Sequence, residues 1–197
     1  MTGVNLFKAH PVVFYALLCS LNRFDPVTAV SVSEKFKISL EGLEKLADAG
    51  KLLSDAPVRR LIGLLKSHEA FPRISYTAGE LAFARSGFQF TGLGLSALLK
   101  EAIVSLTSLL PQIIPEVHDS PVPRITIRNS PFIAYPSSSP TCGFVAGYIS
   151  SALLSARMLR FRIRETICGS VTDERRFCLF EVEDSLYERG GMYGTLA

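Results

Sequence analysis

The sequence predicts an α/β protein in which an antiparallel sheet packs with helices and is preceded by a small helical N-terminal domain. Apolar residues recur at helical spacing in the first fifty positions and again between residues 74 and 110. Nearer the C-terminus, two segments alternate apolar and polar residues, as half-buried strands do. Of 197 residues, 48% are hydrophobic and 20% charged, which is enough apolar material for a substantial core.

Three helices and a hairpin are predicted in the N-terminal third. The helices are expected at residues 10–23, 27–36 and 40–49, with Ser39 as the N-cap of the third and Gly50 just after its end. Two short strands, at residues 51–54 and 58–65, are expected to follow and to turn at Pro57.

This order of elements resembles the winged helix-turn-helix domain of small prokaryotic regulators, and we place that domain at residues 1–68. Contacts to DNA phosphates would then come from four basic residues: Lys35, Lys37, Arg59 and Arg60. The recognition helix would be residues 40–51, but Glu41, Glu44 and Asp48 make it acidic, whereas base recognition uses basic and amide side chains. The alternative, a packing or dimerisation appendage that has the shape without DNA binding, stays open.

A second domain is predicted over residues 72–185. Its elements are two helices, a strand, a third helix and a final pair of strands, at residues 74–85, 93–110, 124–128, 143–157, 159–168 and 176–183. Four prolines between residues 111 and 123 exclude a long helix there. The last two strands are joined by a short loop, so we expect an antiparallel hairpin.

Charge and composition limit the partners and the location of the chain. The formal net charge of +3 is too small to imply nucleic acid binding by itself. The longest apolar stretch, residues 11–21, is about half of what a bilayer crossing requires, and the first ten residues show no secretory signal. We therefore expect a cytoplasmic protein, in which cysteines are more often metal ligands, redox sensors or core thiols than disulfide partners.

A carboxylate stands in the apolar row of the first C-terminal strand. By the period of two, Glu165 shares a face with Ile163 and Ile167, and a buried charge there must be paired, hydrogen-bonded or coordinated. In the partner strand Cys178 shares a face with Phe180. Strand pairing is therefore expected to place Cys178 near Glu165.

Cys142 and Cys168 complete a candidate set of four ligands with these two residues. Three sulfurs and one carboxylate in a closed set favour zinc over iron, in a structural role. Because Glu165 and Cys168 are an odd number of residues apart, their convergence requires a bulge near residues 167–169. Two alternatives remain open: the cysteines are buried small hydrophobes while Glu165 pairs with an arginine, or the thiols form a redox switch.

Three segments resemble the 4-vinyl reductase (4VR) domain family: Cys142 at the start of a helix containing Gly147 and Tyr148, residues 164–168, and residues 178–182. The match covers about residues 74–184 and implies the α/β fold that this family shares with the vesicle-tethering TRAPP subunits. In the phenol-sensing members a Cys, a Glu-x-x-Cys and a further Cys bind zinc. The resemblance thus implies that Zn²⁺ is bound here by Cys142, Glu165, Cys168 and Cys178.

The resemblance also implies a function: a zinc-stapled module that senses a small hydrophobic or aromatic molecule or the redox state, acts as a transcriptional regulator and forms a homodimer. A ligand pocket between helices and sheet would be lined by six aromatic residues: Tyr76, Phe83, Phe90, Phe132, Phe144 and Tyr148. The phenol sensors hold the phenol hydroxyl with a His and a Trp, and this chain has no Trp, so phenol specificity does not transfer. The alternatives are an accessory protein of tetrapyrrole 4-vinyl reduction and a TRAPP-like scaffold subunit. The sequence has no dinucleotide fingerprint that would supply a reductase with electrons.

Overall fold

The chain folds into helices that pack against one another and against a four-stranded antiparallel sheet. The structure, a computed structural model, describes residues 8–50, 52–90, 94–120, 122–133, 141–156, 158, 161–169, 171 and 176–184. The helices are α1 (Pro11–Phe24), α2 (Pro26–Phe36), α3 (Leu40–Asp48), α4 (Ala56–Leu65), α5 (Phe71–Ser86), α6 (Leu95–Leu109) and α7 (Gly143–Ser155). The strands are β1 (Lys8–Ala9), β2 (Leu53–Ser54), β3 (Ile114–His118), β4 (Arg124–Arg128), β5 (Phe161–Ile167) and β6 (Phe177–Asp184). Some predicted positions lie outside the described residues, namely 1–7, 51, 93, 157, 159–160 and 185.

The three predicted N-terminal helices are confirmed as α1, α2 and α3. Each begins with a side chain that accepts a hydrogen bond from one of the first backbone N–H groups, which have no partner within the helix. These capping residues are His10, Asp25 and Ser39. Ser39 was expected, and its Oγ accepts from the Gly42 N–H at 3.0 Å. Helix α1 is buried over most of its length, up to Leu21, and packs against α2, α3 and α5.

The predicted strand at residues 58–65 is wrong, because this segment is helix α4. Its buried residues are Val58, Leu61, Ile62 and Leu65, whose spacing of three, four and seven is that of one helix face. Pro57 lies in the first turn, where proline favours a helix start. Strand β2 pairs instead with β1 at the N-terminus. The hairpin of a winged helix is therefore not formed by these segments, and the winged-helix resemblance is not confirmed.

The larger sheet has the strand order β3-β4-β6-β5, with antiparallel pairing throughout. Its buried face carries an apolar row from β4 and β6: Ile125, Ile127, Cys178, Phe180 and Val182. The predicted strands in the last quarter are confirmed as the neighbours β5 and β6. Strand β3 was not predicted, because Pro115 lies within it; β3 is an edge strand, where proline is tolerated. The fold class, an antiparallel sheet packed with helices, is as the sequence predicts.

Helices α5 and α7 approach each other through glycines. A Cβ atom added at Gly147 would lie 2.0 Å from the carbonyl oxygen of Tyr76, and one at Gly79 would lie 2.0 Å from that of Phe144. Neither position can hold a larger residue unless the helices separate. This close crossing fixes the position of α7 relative to α5. Helix α7 also packs against α6 and β5.

Arg85, near the end of α5, contacts the N-terminal helices. Its guanidinium forms ion pairs with Glu44 and Asp48 of α3 and lies over the Tyr15 ring of α1, 4.5 Å from the ring centroid. The buried apolar residues form one cluster that includes both predicted domains. The domain boundaries themselves stay a prediction. None of the helices in the described ranges has the length and hydropathy that crossing a membrane would require.

Candidate metal centre

The four predicted ligands converge on one point between the start of α7 and the buried face of the sheet. One ligand atom from each of Cys142, Glu165, Cys168 and Cys178 lies within 4.8 Å of all the others. Cys142 precedes the first residue of α7, Cys168 follows β5, and Cys178 is the second residue of β6. Two of the sulfurs, those of Cys168 and Cys178, are 3.9 Å apart. For comparison, Zn–S bonds of about 2.3 Å in a tetrahedral site place two sulfurs roughly 3.8 Å apart.

The bulge that the ligand spacing requires is present in β5, one residue before the expected place. Glu165 pairs with Phe180 and Ile167 with Leu179, so Thr166 is the extra residue. Upstream of the bulge the alternation is regular, and Glu165 lies on the inner face with Ile163. The inserted residue re-aims the chain after it, which brings Cys168 to the same side as Glu165. The odd spacing of Glu165 and Cys168, which would place them on opposite faces of a regular strand, therefore lets them share one face of this bulged strand.

The donor set fits a metal ion. Cys142 and Cys178 are fully buried and Cys168 is 6% exposed. The Oε1 atom of Glu165 is buried and has no hydrogen-bond partner among the described residues. An unpartnered buried carboxyl oxygen costs about 1–3 kcal/mol or more, and coordination to a cation would remove that cost. No second group of this kind was found in the described part of the chain.

Three of the four ligand groups have raised pKa values, which favour their protonated forms while no cation is bound. Burial and, next, the neighbouring Cys168 together raise the pKa of the Glu165 carboxyl to about 8, against the lowering effect of hydrogen bonds with Cys178 and Cys142. Burial likewise raises the pKa of the Cys142 thiol well above its ordinary value. A hydrogen bond with Cys142 lowers the pKa of Cys178, but a hydrogen bond with Cys168 and burial together raise it. A divalent cation would replace these protons, because thiolates and carboxylates are the forms that coordinate metals.

Five of the six aromatic residues predicted to line a ligand pocket lie in two contact groups. Phe132 and Phe144 stack with ring centroids 5.0 Å apart and are fully buried. Phe83 contacts Phe90 at 5.8 Å and Tyr148 at 5.3 Å. Tyr148 is fully buried, and its hydroxyl lies 2.6 Å from that of Ser105. These side chains are part of the core, and their role in ligand binding stays a prediction.

The sixth aromatic residue, Tyr76, lines a cleft between α5, α7 and β5. The cleft has a volume of about 380 Å³. Leu154 from α7 and Phe161 and Ile163 from β5 give it apolar walls, and Glu80 and Arg162 add ionisable groups. Sequence reasoning missed every lining residue except Tyr76, because the cleft joins three elements that are far apart in the chain.

The four basic residues predicted to contact DNA are on α2 and α4 or next to them. Lys35 and Lys37 are exposed, and Lys37 ends α2 in the left-handed conformation. Arg59 forms an ion pair with Asp55, one turn earlier. The guanidinium carbon of Arg60 lies 5.3 Å from the ring centroid of Phe36. A DNA-binding role for these residues stays a prediction.

The comparisons with known proteins identify no family. No family model matches the chain, and no curated protein matches it. Among solved structures, one with similarity is a vinyl-4-reductase family protein from Methanocaldococcus jannaschii. The sequences are 19% identical, the alignment covers 64% of this chain and 76% of the other, and the TM-score is 0.39. At this level the likeness assigns neither a family nor a function to the chain.

Proposed function

We propose that the protein binds one Zn²⁺ through Cys142, Glu165, Cys168 and Cys178 and serves as a zinc-stapled sensing module. The observation that carries the proposal is the convergence of four donor atoms within 4.8 Å of one another, from three separate chain segments. Buried thiols are common in cores, but a buried carboxyl oxygen that lacks a hydrogen-bond partner, as Glu165 Oε1 does among the described residues, is not.

The ligand set favours a structural metal. Three sulfurs and one carboxylate fill a tetrahedron, so no position is left for the water or substrate that catalytic zinc sites hold. The metal would tie the start of α7 to the ends of β5 and β6 that lie next to it. Thiolate donors favour zinc over magnesium or calcium, which take oxygen ligands.

The molecule that the protein senses would be small and largely apolar and would bind in the cleft beside Tyr76. At about 380 Å³, the cleft is within the size range of small-molecule sites. It shares α7 and β5 with the proposed metal site. A bound molecule would therefore contact two of the three elements whose ends the zinc joins.

Regulation of transcription is the finer part of the proposal, and a homodimer belongs with it. Sequence-independent contact with DNA phosphates weakens steeply with salt. We expect the protein to bind the promoter of its own operon in a salt-dependent way, and absence of binding at low salt would reject this function. Light scattering tests the homodimer.

Elemental analysis tests the zinc site. Protein purified under reducing conditions should contain one zinc per chain, and Cys178→Ser should lose it. Cys19→Ser is the matched control, because Cys19 lies in α1, outside the cluster, and its removal should leave the zinc content unchanged. Unaltered protein without zinc, after metal has been supplied, would reject the proposal.

A pair of charged substitutions tests the cleft, with 2-naphthol as the probe. Leu154 lines the cleft and is 61% exposed, whereas Val104 of α6 is 64% exposed and does not line it. Leu154→Glu should abolish 2-naphthol binding measured by fluorescence, and Val104→Glu should not. Equal binding by both variants would exclude this cleft as the site for such molecules.

A further inference from the structure

A buried serine of α5 holds the turn that presents the first cysteine of the cluster. Ser75 is fully buried, and its neighbours on the same face of α5 are apolar. Its Oγ accepts a hydrogen bond from the Phe144 N–H at 2.8 Å and donates one to the Thr141 carbonyl at 3.1 Å. The two bonds lie on either side of Cys142. They therefore fix the backbone that carries the Cys142 sulfur.

The bond to Phe144 replaces a cap that Cys142 does not supply. The first N–H groups of a helix have no partner within it, and the N-cap side chain ordinarily accepts from one of them. Cys142 occupies the N-cap position of α7, yet its side chain makes no capping hydrogen bond. Because Ser75 caps the helix from outside, the Cys142 sulfur is left to face the other ligands.

The same turn reaches a second ligand. The Thr141 N–H donates to the Cys168 sulfur at 3.4 Å, and the Thr141 hydroxyl donates to the Phe132 carbonyl at 2.6 Å. Through Thr141, the Ser75 hydroxyl acts on the surroundings of both Cys142 and Cys168.

The fit around this hydroxyl is close. A Cβ atom added at Gly143 would lie 3.2 Å from Ser75 Oγ and 3.1 Å from the Pro72 carbonyl oxygen. The first residue of α7 is thus pressed against α5. A change in the position of α5 would be passed directly to the turn that holds Cys142.

We propose that Ser75 is a positioning residue of the metal site, which caps α7 in place of Cys142 and holds the turn in the geometry that zinc requires. The inference rests on the proposed zinc site and deepens it. Groups that orient metal ligands contribute about 10–100-fold to metal affinity. Ser75 belongs to this class by its contacts, although it bonds to the backbone beside the ligands and not to the sulfurs.

The test compares Ser75→Ala with Ser105→Ala. Ser105 is also a buried serine, 4% exposed, but its hydroxyl bonds to the Tyr148 hydroxyl, away from the cluster. In competition with a chromophoric chelator, Ser75→Ala should bind zinc about 10–100-fold more weakly at unchanged stoichiometry, and Ser105→Ala should match the unaltered protein. The d–d bands of the Co²⁺-loaded protein should change in Ser75→Ala alone. Unchanged affinity in Ser75→Ala, or an equal loss in both variants, would overturn the inference.

A measurement on the unaltered protein decides the matter if Ser75→Ala fails to fold. The Phe144 N–H lies in the first turn of α7, where the helix itself offers no acceptor, and it donates to Ser75 Oγ, so its hydrogen exchange in the zinc-loaded protein should be far slower than that of a free amide. Exchange at the free-amide rate would overturn the inference. Absence of zinc from the unaltered protein would reject the proposed function as well, whereas zinc binding without any effect of Ser75 would reject this inference alone.

Discussion

The substitution Glu165→Gln should have opposite effects on stability with and without metal. In the metal-free protein, burial holds the Glu165 carboxyl protonated up to a pKa of about 8, whereas the unfolded chain ionises near the ordinary value of 4.5. A group whose folded pKa is raised contributes its full stability below the unfolded pKa and loses it as the pH rises toward the folded one. The metal-free protein should therefore lose stability between about pH 4.5 and pH 8.

The size of this loss follows from the pH interval. Each unit between the two pKa values changes the free energy of unfolding by about 1.4 kcal/mol. From pH 5 to pH 7, the metal-free protein should lose roughly 3 kcal/mol more than Glu165→Gln, which has no carboxyl to ionise. Titrating groups outside the cluster are common to both proteins and cancel in the difference. For a chain of this length the loss corresponds to a fall of about 6–12 °C in Tm.

With zinc bound, the unaltered protein should be more stable than Glu165→Gln, the reverse of what is expected for the metal-free proteins at pH 7. Metal at about a hundred times its dissociation constant stabilises the folded state by about 2.7 kcal/mol, and the variant lacks one ligand through which this stabilisation arises. Urea unfolding at pH 5 and pH 7, with chelator and reductant or with zinc, measures the free energy of unfolding of both proteins with and without metal. Parallel pH dependence of the two metal-free proteins would refute the raised pKa of the buried Glu165 carboxyl, and equal stabilisation by zinc would refute coordination by Glu165.

Three further predictions concern the metal and the packing around it. Zinc affinity should fall as the pH falls, because burial raises the pKa of Glu165 and of Cys142 and protons then compete with the metal; isothermal titration at several pH values checks this. Gly147→Ala should destabilise the protein by about 3 kcal/mol or more, because its Cβ would lie 2.0 Å from a backbone oxygen, whereas Gly42→Ala should change stability by less than about 1 kcal/mol; urea unfolding that gave equal effects would contradict the close helix crossing. Arg85→Ala should cost about 1 kcal/mol and speed amide exchange in α3 more than in α6; uniform exchange would show that the ion pairs do not hold α3.

The cluster of four candidate ligands could be predicted from sequence because most of its evidence is local. An acidic residue in an apolar row, three cysteines nearby and a spacing that demands a bulge are all visible in the residues. The bulge itself falls at Thr166, earlier than Gly169 suggested, because strand pairing with β6 determines where the extra residue goes. Glycine near a strand end was an approximate guide to its place.

The errors in secondary structure concern α4, whose short segment fits both a helical and a strand pattern, and β3. The apolar residues of α4 include Val58 and Ile62, which are common in strands, and only their spacing of three and four distinguishes a helix. Strand β3 was missed because it contains Pro115. Proline argues against a strand except at a sheet edge, and the sequence does not show which strand is at the edge.

The hydrogen bonds of Ser75 and the cleft beside Tyr76 could not be predicted, because they depend on where distant elements meet. A serine in an apolar helix face is a weak signal of a buried partner, but the sequence does not name the partner. In this fold the partners lie 66 and 69 residues away in the chain. Tertiary placement alone brings them together.

The strand order has a consequence for how the protein folds. Strand β6 lies between β4 and β5 and is the last described strand of the chain, so β4 cannot join β5 before β6 has been synthesised. Glu165, Cys168 and Cys178 belong to one local hairpin, and pairing within it requires only a short loop to close. A metal ion bound by these three ligands would hold β6 beside β5 before Cys142 of α7 joins the site. The sheet would then form from the β5–β6 hairpin toward β4 and β3.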